Sequence, residues 1–261
     1  VDIVPDIDLD LMESNQSLDR LSARILLSVG EALDRVRPER VVVQGDTASA
    51  MIGSLAAYYR RIPVSHVEAG LRSGNIYSPW PEEVNRKIVG SIADQHFAPT
   101  TLAVEVLLKE NVPSERVHVT GNTIVDALLA TRKLIESQPA YASRWDELKV
   151  RKGNRRIILV TTHRRENFGD GMDQIAEALL AVLQREDVLV VLPMHLNPNV
   201  REVLQAAVAG HPRAEIIAPQ GYGSFGWRLG MSDIGVGNCR WEQEEAPSLG
   251  KPVLVMRDTT E

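Results

Sequence analysis

Three carboxylates, Asp46, Glu68 and Glu82, are the residues whose types and spacing could do chemistry. Asp46 ends the run Val41-Val42-Val43-Gln44-Gly45-Asp46, and Glu68 follows a second strand pattern, Pro63 to Val67. Ligands of open α/β sheets bind at the carboxyl ends of parallel strands, so both acids are expected to point into one crevice. Glu82 opens the next helix after a loop. Carboxylates converging in a partly dry cleft can be driven to different proton affinities, which supplies an acid and a base. The plainer reading has Asp46 capping a helix and Glu82 with Glu83 complementing a helix dipole. Residue types leave both readings open for Asp46 and Glu68, and favour the plainer one for Glu83.

Cations gather elsewhere. The loop His163-Arg164-Arg165-Glu166-Asn167-Phe168-Gly169 follows a strand pattern and would suit an anionic ligand, although on residue types alone a solvated salt-bridge turn is favoured. His195 also ends a strand, where a lone histidine is more often a hydrogen-bonded or capping residue than a catalyst. Glu242, Glu244 and Glu245 begin a late helix, where a glutamate can accept from ribose hydroxyls or complement the dipole. The six histidines show no HExxH and no paired Cys/His spacing, so no metal site is readable.

The elements that must position these residues alternate. A helix capped by Ser17 runs through Leu18, Leu21, Ile25 and Val29 and stops before Pro38. The spacing then predicts a buried strand at 41–44 and a helix at 48–61, capped by Thr47, with Met51, Ile52, Leu55, Ala56 and Tyr59 as its apolar stripe. Strand 63–67 follows, then a loop at 71–80, a helix at 82–93 after Pro81, strand 95–98, helix 101–110 and strand 117–120. A further helix runs from Gly121 to about Ser137, and 138–153 reads as a polar connector. The second half predicts strands at 156–161, 188–193, 215–218 and 252–256, with helices at 172–184, 199–209 and 242–249. Strands alternating with helices imply βαβ units and parallel sheets. The fold class is therefore α/β, with one domain over 1–121 and a second over 122–261.

Length and composition agree with this. A chain of 261 residues suits two cores better than one. The formal charge of −6 argues against a nucleic-acid partner, because phosphate-backbone binders draw affinity from clustered Lys and Arg. Apolar runs fall far short of the roughly 20 residues of a membrane span, so no membrane partner is expected. The single cysteine, Cys239, cannot form an internal disulfide, which is compatible with the expected cytoplasmic location. The chain starts without Met and stops just after a strand pattern, so a fragment of a longer protein is expected.

Several stretches together resemble the non-hydrolysing UDP-N-acetylglucosamine 2-epimerases. They are Gln44-Gly45-Asp46-Thr47, Ser65 to Arg72, Tyr77 to Arg86, Val119 to Thr123, Thr162 to Asn167, Met194 to Arg201 and Glu244 to Glu261, in the family's order over nearly the whole chain. The resemblance implies two Rossmann-like domains of the glycosyltransferase-B type with UDP-sugar in the cleft between them. It also implies interconversion of UDP-GlcNAc and UDP-ManNAc by elimination of UDP to 2-acetamidoglucal and readdition, with neither nicotinamide nor metal as cofactor. By position, Asp46, Glu68 and Glu82 match the catalytic carboxylates and His163 the histidine near the diphosphate. Gln220, Phe225 and Glu245 match uridine and ribose contacts. Gln16, Arg164 and His195 fall in segments matching an allosteric site for a second UDP-GlcNAc. A homodimer serving cell-surface polysaccharide synthesis is implied as well. The alternatives are a hydrolysing relative that releases ManNAc and UDP, and a fragment that only binds nucleotide-sugar.

The chain departs from the family in three places. The family has a strand and a Gly-Thr-Arg-Pro-Glu loop before the position of Val1, and it continues beyond Glu261 with a nucleotide-contacting Arg and further helices. Between about Gly223 and Glu242 the match lapses: Asn238-Cys239-Arg240-Trp241-Glu242 stands where the family has Asp-Ser-Gly-Gly-Ile. Arg240 and Trp241 there are expected to crowd the close approach of backbone N–H groups to phosphate and weaken UDP binding. The abrupt limits of the lapse are those that two compensating reading-frame errors in the source sequence would leave.

Overall fold

The computed structural model describes residues 4–13, 16–137, 148, 150–162, 169–195, 197–238 and 240–256, without the side chains of 199 and 240–242. It divides into two compact units, one ending at Thr123 and the other beginning at Ile124, just past the Gly121 break expected from the sequence.

The first unit runs α1 (Leu18–Val36), β1 (Val41–Gln44), α2 (Ala48–Tyr59), β2 (Val64–Val67), α3 (Glu82–Ile92), β3 (Gln95–Ala98), α4 (Thr101–Lys109) and β4 (Val117–Val119). Its four strands lie parallel in chain order, β1-β2-β3-β4. Three local expectations change. Ser17 sits at the N-cap of α1 and its carbonyl accepts from Leu21 N–H, but its hydroxyl makes no cap bond; it goes to the Asp19 carboxylate instead, holding that group's pKa below its usual value. The strand at 41–44 is not buried throughout, because β1 forms the sheet edge: Val43 is buried while Val42 is 64% exposed. Tyr59 falls outside the stripe of α2 at 63% exposure. The inward face of α2 is made by Ala50, Ile52, Gly53, Ser54, Ala56 and Ala57, mostly small residues that let its neighbours approach.

The second unit runs α5 (Thr123–Glu136, with Thr123 at the boundary), β5 (Arg156–Thr161), α6 (Asp170–Leu183), β6 (Val188–Pro193), α7 (Pro198–Val208), β7 (Ala214–Ile217), α8 (Tyr222–Met231), β8 (Ile234–Gly237), α9 (Arg240–Ser248) and β9 (Val253–Val255). Its five parallel strands are ordered β7-β6-β5-β8-β9. The central β5 and β6 bury long runs, Ile157 to Thr161 and Val188 to Leu192, as strands covered on both faces do. The order reverses between β5 and β8, which is the switch point where such sheets take ligands.

The α8 and β8 elements were not anticipated. Gly221, Gly223, Gly226, Gly230, Gly235 and Gly237 make the stretch read as loop by propensity. Packing overrides this: a Cβ at Gly226 would lie 2.8 Å from Leu128 Cδ1, and one at Gly223 would lie 3.1 Å from Ile135 Cδ1, so these glycines sit where α5 comes closest. The expected connector at 138–153 changes too. Residues 138–147 and 149 lie outside the described residues, while Leu148 and 150–152 are helical and Leu148 is buried in the core with Ile157 and Leu159. No described helix is long and apolar enough to cross a membrane.

Candidate functional site

The turn after β1 is built against the turn after β2. Gln44 pairs with Val67, and Gly45 N–H continues the ladder to Val67 O at 3.0 Å, so Asp46 and Glu68 leave the sheet at the same edge. A Cβ at Gly45, where φ is +70°, would lie 3.6 Å from Glu68 Oε2, which places that carboxylate beside the Asp46 turn. Glu68 itself takes φ of +67°, a conformation that costs a non-glycine residue about 1 kcal/mol or more. Its neighbours hold it there. Ala69 N–H donates to Phe97 O at 3.0 Å, and Gly70, at φ +92°, packs so tightly that a Cβ would meet Ala103 O at 2.4 Å.

Asp46 is not the helix cap. Thr47 takes that role, its hydroxyl oxygen accepting from Ala50 N–H at 3.2 Å. The Asp46 carboxylate is instead held by α3. Its Oδ2 accepts from Arg86 Nε at 2.9 Å and Nη2 at 2.8 Å, and its main-chain oxygen accepts from Asn85 Nδ2 at 2.8 Å. Arg86 is 2% exposed and its Nη1 lies 3.1 Å from Glu83 Oε2. Glu83 overturns the dipole reading: it is 0% exposed and accepts from the N–H groups of Ser73 at 3.0 Å and Gly74 at 3.2 Å, with Lys87 Nζ at 3.7 Å. A dipole-complementing glutamate stays in water, whereas this one is buried with its oxygens occupied. Glu82, one residue earlier, is half-buried, and its Oε2 is shielded from solvent with no hydrogen-bond partner among the described residues.

His66 lies under the same turn. Its Nε2 is 2.8 Å from Gly45 O, so the neutral ring donates there. Burial drives its pKa down to about 4, against the opposing effect of that hydrogen bond. Its register partner His96 is likewise lowered by burial.

In the second unit the expected nucleotide contacts divide. Glu245 is buried and accepts from Tyr222 Oη at 2.8 Å. Burial raises its pKa and the tyrosine bond partly offsets this; burial, then Glu245, raises that of Tyr222. Gln220 is half-buried and donates from Nε2 to Ala218 O at 2.6 Å, and Phe225 packs against the core of Ile157, Leu189 and Leu229. Asn238 donates to Thr162 Oγ1 at 3.2 Å, tying together the ends of β5 and β8 at the switch point. His195 is exposed, accepts Asn197 N–H at Nδ1 at 3.1 Å, and borders a cavity of about 370 Å³ with Met194, Arg201 and Ile216. Gln16, in the first unit, accepts from Glu13 N–H. His163 and Arg164 lie outside the described residues, as does Cys239; the expected crowding by Arg240 and Trp241 falls on side chains that are not described.

Sequence reasoning gave Glu83 to the helix dipole and missed Asn85, Arg86, His66, Tyr222 and Asn238 as site residues. The signal for Glu83 and Arg86 was present. Glu83 and Arg86 are spaced i, i+3 and share a helix face with the acid-bearing turn.

Two α/β units with parallel sheets, and carboxylates gathered at one sheet edge, define an α/β enzyme of the glycosyltransferase-B type. The family model described as UDP-N-acetylglucosamine 2-epimerase matches residues 1–261, and the chain belongs to that family of isomerases. It is 48% identical over 262 residues to a probable UDP-N-acetylglucosamine 2-epimerase of Ralstonia nicotianae, covering 100% of this chain and 70% of the relative. The UDP-N-acetylglucosamine 2-epimerase of Salmonella typhimurium is 46% identical over 261 residues, covering 99% of this chain and 69% of its own. Among solved structures, the Neisseria meningitidis UDP-GlcNAc 2-epimerase bound to UDP-GlcNAc superposes with a TM-score of 0.94 at 42% identity, over 99% of this chain and 70% of that one. The Methanocaldococcus jannaschii enzyme in complex with UDP-GlcNAc and UDP gives a TM-score of 0.83 at 29% identity, again over 99% and 70%.

Proposed function

We propose that this chain interconverts UDP-GlcNAc and UDP-ManNAc without hydrolysis. A carboxylate takes the proton from C2 as the C1–oxygen bond to UDP breaks, leaving 2-acetamidoglucal and UDP. An acid on the other face then delivers a solvent-exchangeable proton to C2 and UDP re-forms its bond to C1, so no water is consumed. Acid/base groups are needed on both faces of the sugar, and Asp46, Glu68 and Glu82 are assigned to this work. The observation that carries the reading is the Asp46 carboxylate, fixed by Arg86 at the edge it shares with Glu68. Glu82, whose Oε2 is buried with no partner among the described residues, supports it as the third acid.

Gln220, Phe225 and Glu245 are assigned to uridine and ribose, and His163 to the diphosphate. UDP-GlcNAc bound to the Neisseria relative supports the choice of ligand. Gln16, Arg164 and His195 are assigned to a second UDP-GlcNAc acting as an activator, and for His195 the cavity that it borders supports the reading.

Turnover in deuterated water tests the reaction. Product UDP-ManNAc carrying deuterium at C2 is expected, with an Asp46→Asn variant slower by about 10²–10⁴-fold. Product without deuterium at C2, or free ManNAc and UDP in place of UDP-ManNAc, would overturn it.

A further inference from the structure

We propose that Glu83 is a positioning residue for the reaction, coupling the loop after β2 to the Asp46 carboxylate through Arg86. The inference rests on the reading of Asp46 as a reacting carboxylate.

A fully buried carboxylate is retained only where its oxygens are filled, and those of Glu83 are filled from two directions. Ser73 and Gly74 donate their backbone N–H groups from the loop, and Arg86 Nη1 donates from one turn along α3. One oxygen, Oε2, accepts from both Ser73 and Arg86, so a displacement of the loop moves the atom that holds the guanidinium.

Arg86 carries the coupling onward because its guanidinium is planar and stiff. Nη1 is held by Glu83, while Nε and Nη2 are held by Asp46 Oδ2 at 2.9 and 2.8 Å. Two bonds to one oxygen leave the guanidinium a direction in which to swing about that oxygen. The contact to Glu83 opposes that swing. The same carboxylate closes the loop whose last residues lead into Glu82, so Glu83 sets the entry of α3 as well as the orientation of Asp46. A merely structural anchor would act on stability. This one acts on the geometry of the reacting groups, where a misplacement on the order of 1 Å lowers the rate about 100-fold.

Two variants and two readouts test the coupling in the full chain. Glu83→Gln keeps the volume and one acceptor oxygen. Arg86→Lys keeps the charge beside Glu83 and loses the planar fork. Each is expected to lower kcat by about 10- to 100-fold while KM for UDP-GlcNAc stays within about threefold. In Glu83→Gln, the Arg86 Nε–H proton, followed by ¹⁵N nuclear magnetic resonance, is expected to exchange with water at least about tenfold faster than in the parent chain. An unchanged kcat in both variants, a change confined to KM, or an unchanged Nε–H exchange rate would overturn the proposal. Should the parent chain leave UDP-GlcNAc unaltered, the functional reading fails, and the Nε–H exchange still decides the coupling.

Discussion

In the first unit Asp46 Oδ2 meets a guanidinium at 2.8 Å, and in the second Glu245 meets a tyrosine hydroxyl at the same distance. The first contact belongs to a charged network in which Arg86 joins two carboxylates, with Arg86 and Glu83 sealed from water. The second is a single hydroxyl bond to a desolvated carboxyl whose pKa rises through burial. A charged network fixes direction, because removing any member strands a buried charge. A carboxyl held by one hydroxyl can exchange that partner for another hydroxyl at little cost. The first arrangement holds a carboxylate in one direction, and the second leaves a carboxyl able to change partner.

The largest effect expected from this contrast is the loss of Arg86. Arg86→Met strands Glu83 and Asp46 together and is expected to cost about 3–5 kcal/mol in denaturant unfolding of the chain. A cost below about 1 kcal/mol would place both carboxylates in water and remove the contrast.

Next comes pH, to which His66 and Glu245 respond with opposite sign. The folded pKa of His66, about 4, lies below the unfolded value near 6.5, so the unfolded chain binds the extra proton. Stability is therefore lost as pH falls from about 6.5 to 4, on the order of 3 kcal/mol in total, and His96 adds loss of the same sign. Glu245, raised in the folded state, contributes stability at low pH that is lost as pH rises from the ordinary carboxyl range through its folded value. Hydrogen exchange at β2 and α9 across this range separates the two. A β2 whose protection does not weaken toward pH 4, or which behaves unchanged in His66→Asn, would contradict the buried neutral ring.

Tyr222→Phe is expected to cost about 1–2 kcal/mol and to raise the pKa of Glu245 further, since the tyrosine bond lowers it. A cost matching that of Arg86→Met would make the two sites equivalent. The smallest effect is at the cap: Thr47→Ala is expected to cost about 1 kcal/mol by thermal melting, with kcat nearly unchanged, because Asp46 is held by α3 and not by the turn.

Much of the fold was legible. Strands β1, β3, β5 and β6 fall where β-branched and apolar runs between turn residues place them. The failures have physical causes. Val42 reads as core because a run of valines carries no sign of being at a sheet edge. The glycines of α8 read as loop because their use, close packing on Leu128 and Ile135, depends on a helix almost 100 residues earlier in the chain. Asp46 and Glu68 were legible as candidates because a strand end is a local pattern. Glu83 was misjudged because a glutamate in a first helical turn looks the same whether solvent or a loop backbone receives it.

By itself, then, the sequence determined the alternation of strand and helix, the acids at two strand ends and the motifs shared with the epimerases. These are written in residues that are neighbours along the chain, where hydrophobic period and turn chemistry act directly. Only the tertiary structure decided that Asp46 answers to Arg86, that Glu83 closes the loop at Ser73 and Gly74, and that Glu245 answers to Tyr222. Partners of that kind are chosen by burial, because a charge or hydroxyl taken out of water must bond to whatever packing brings within reach.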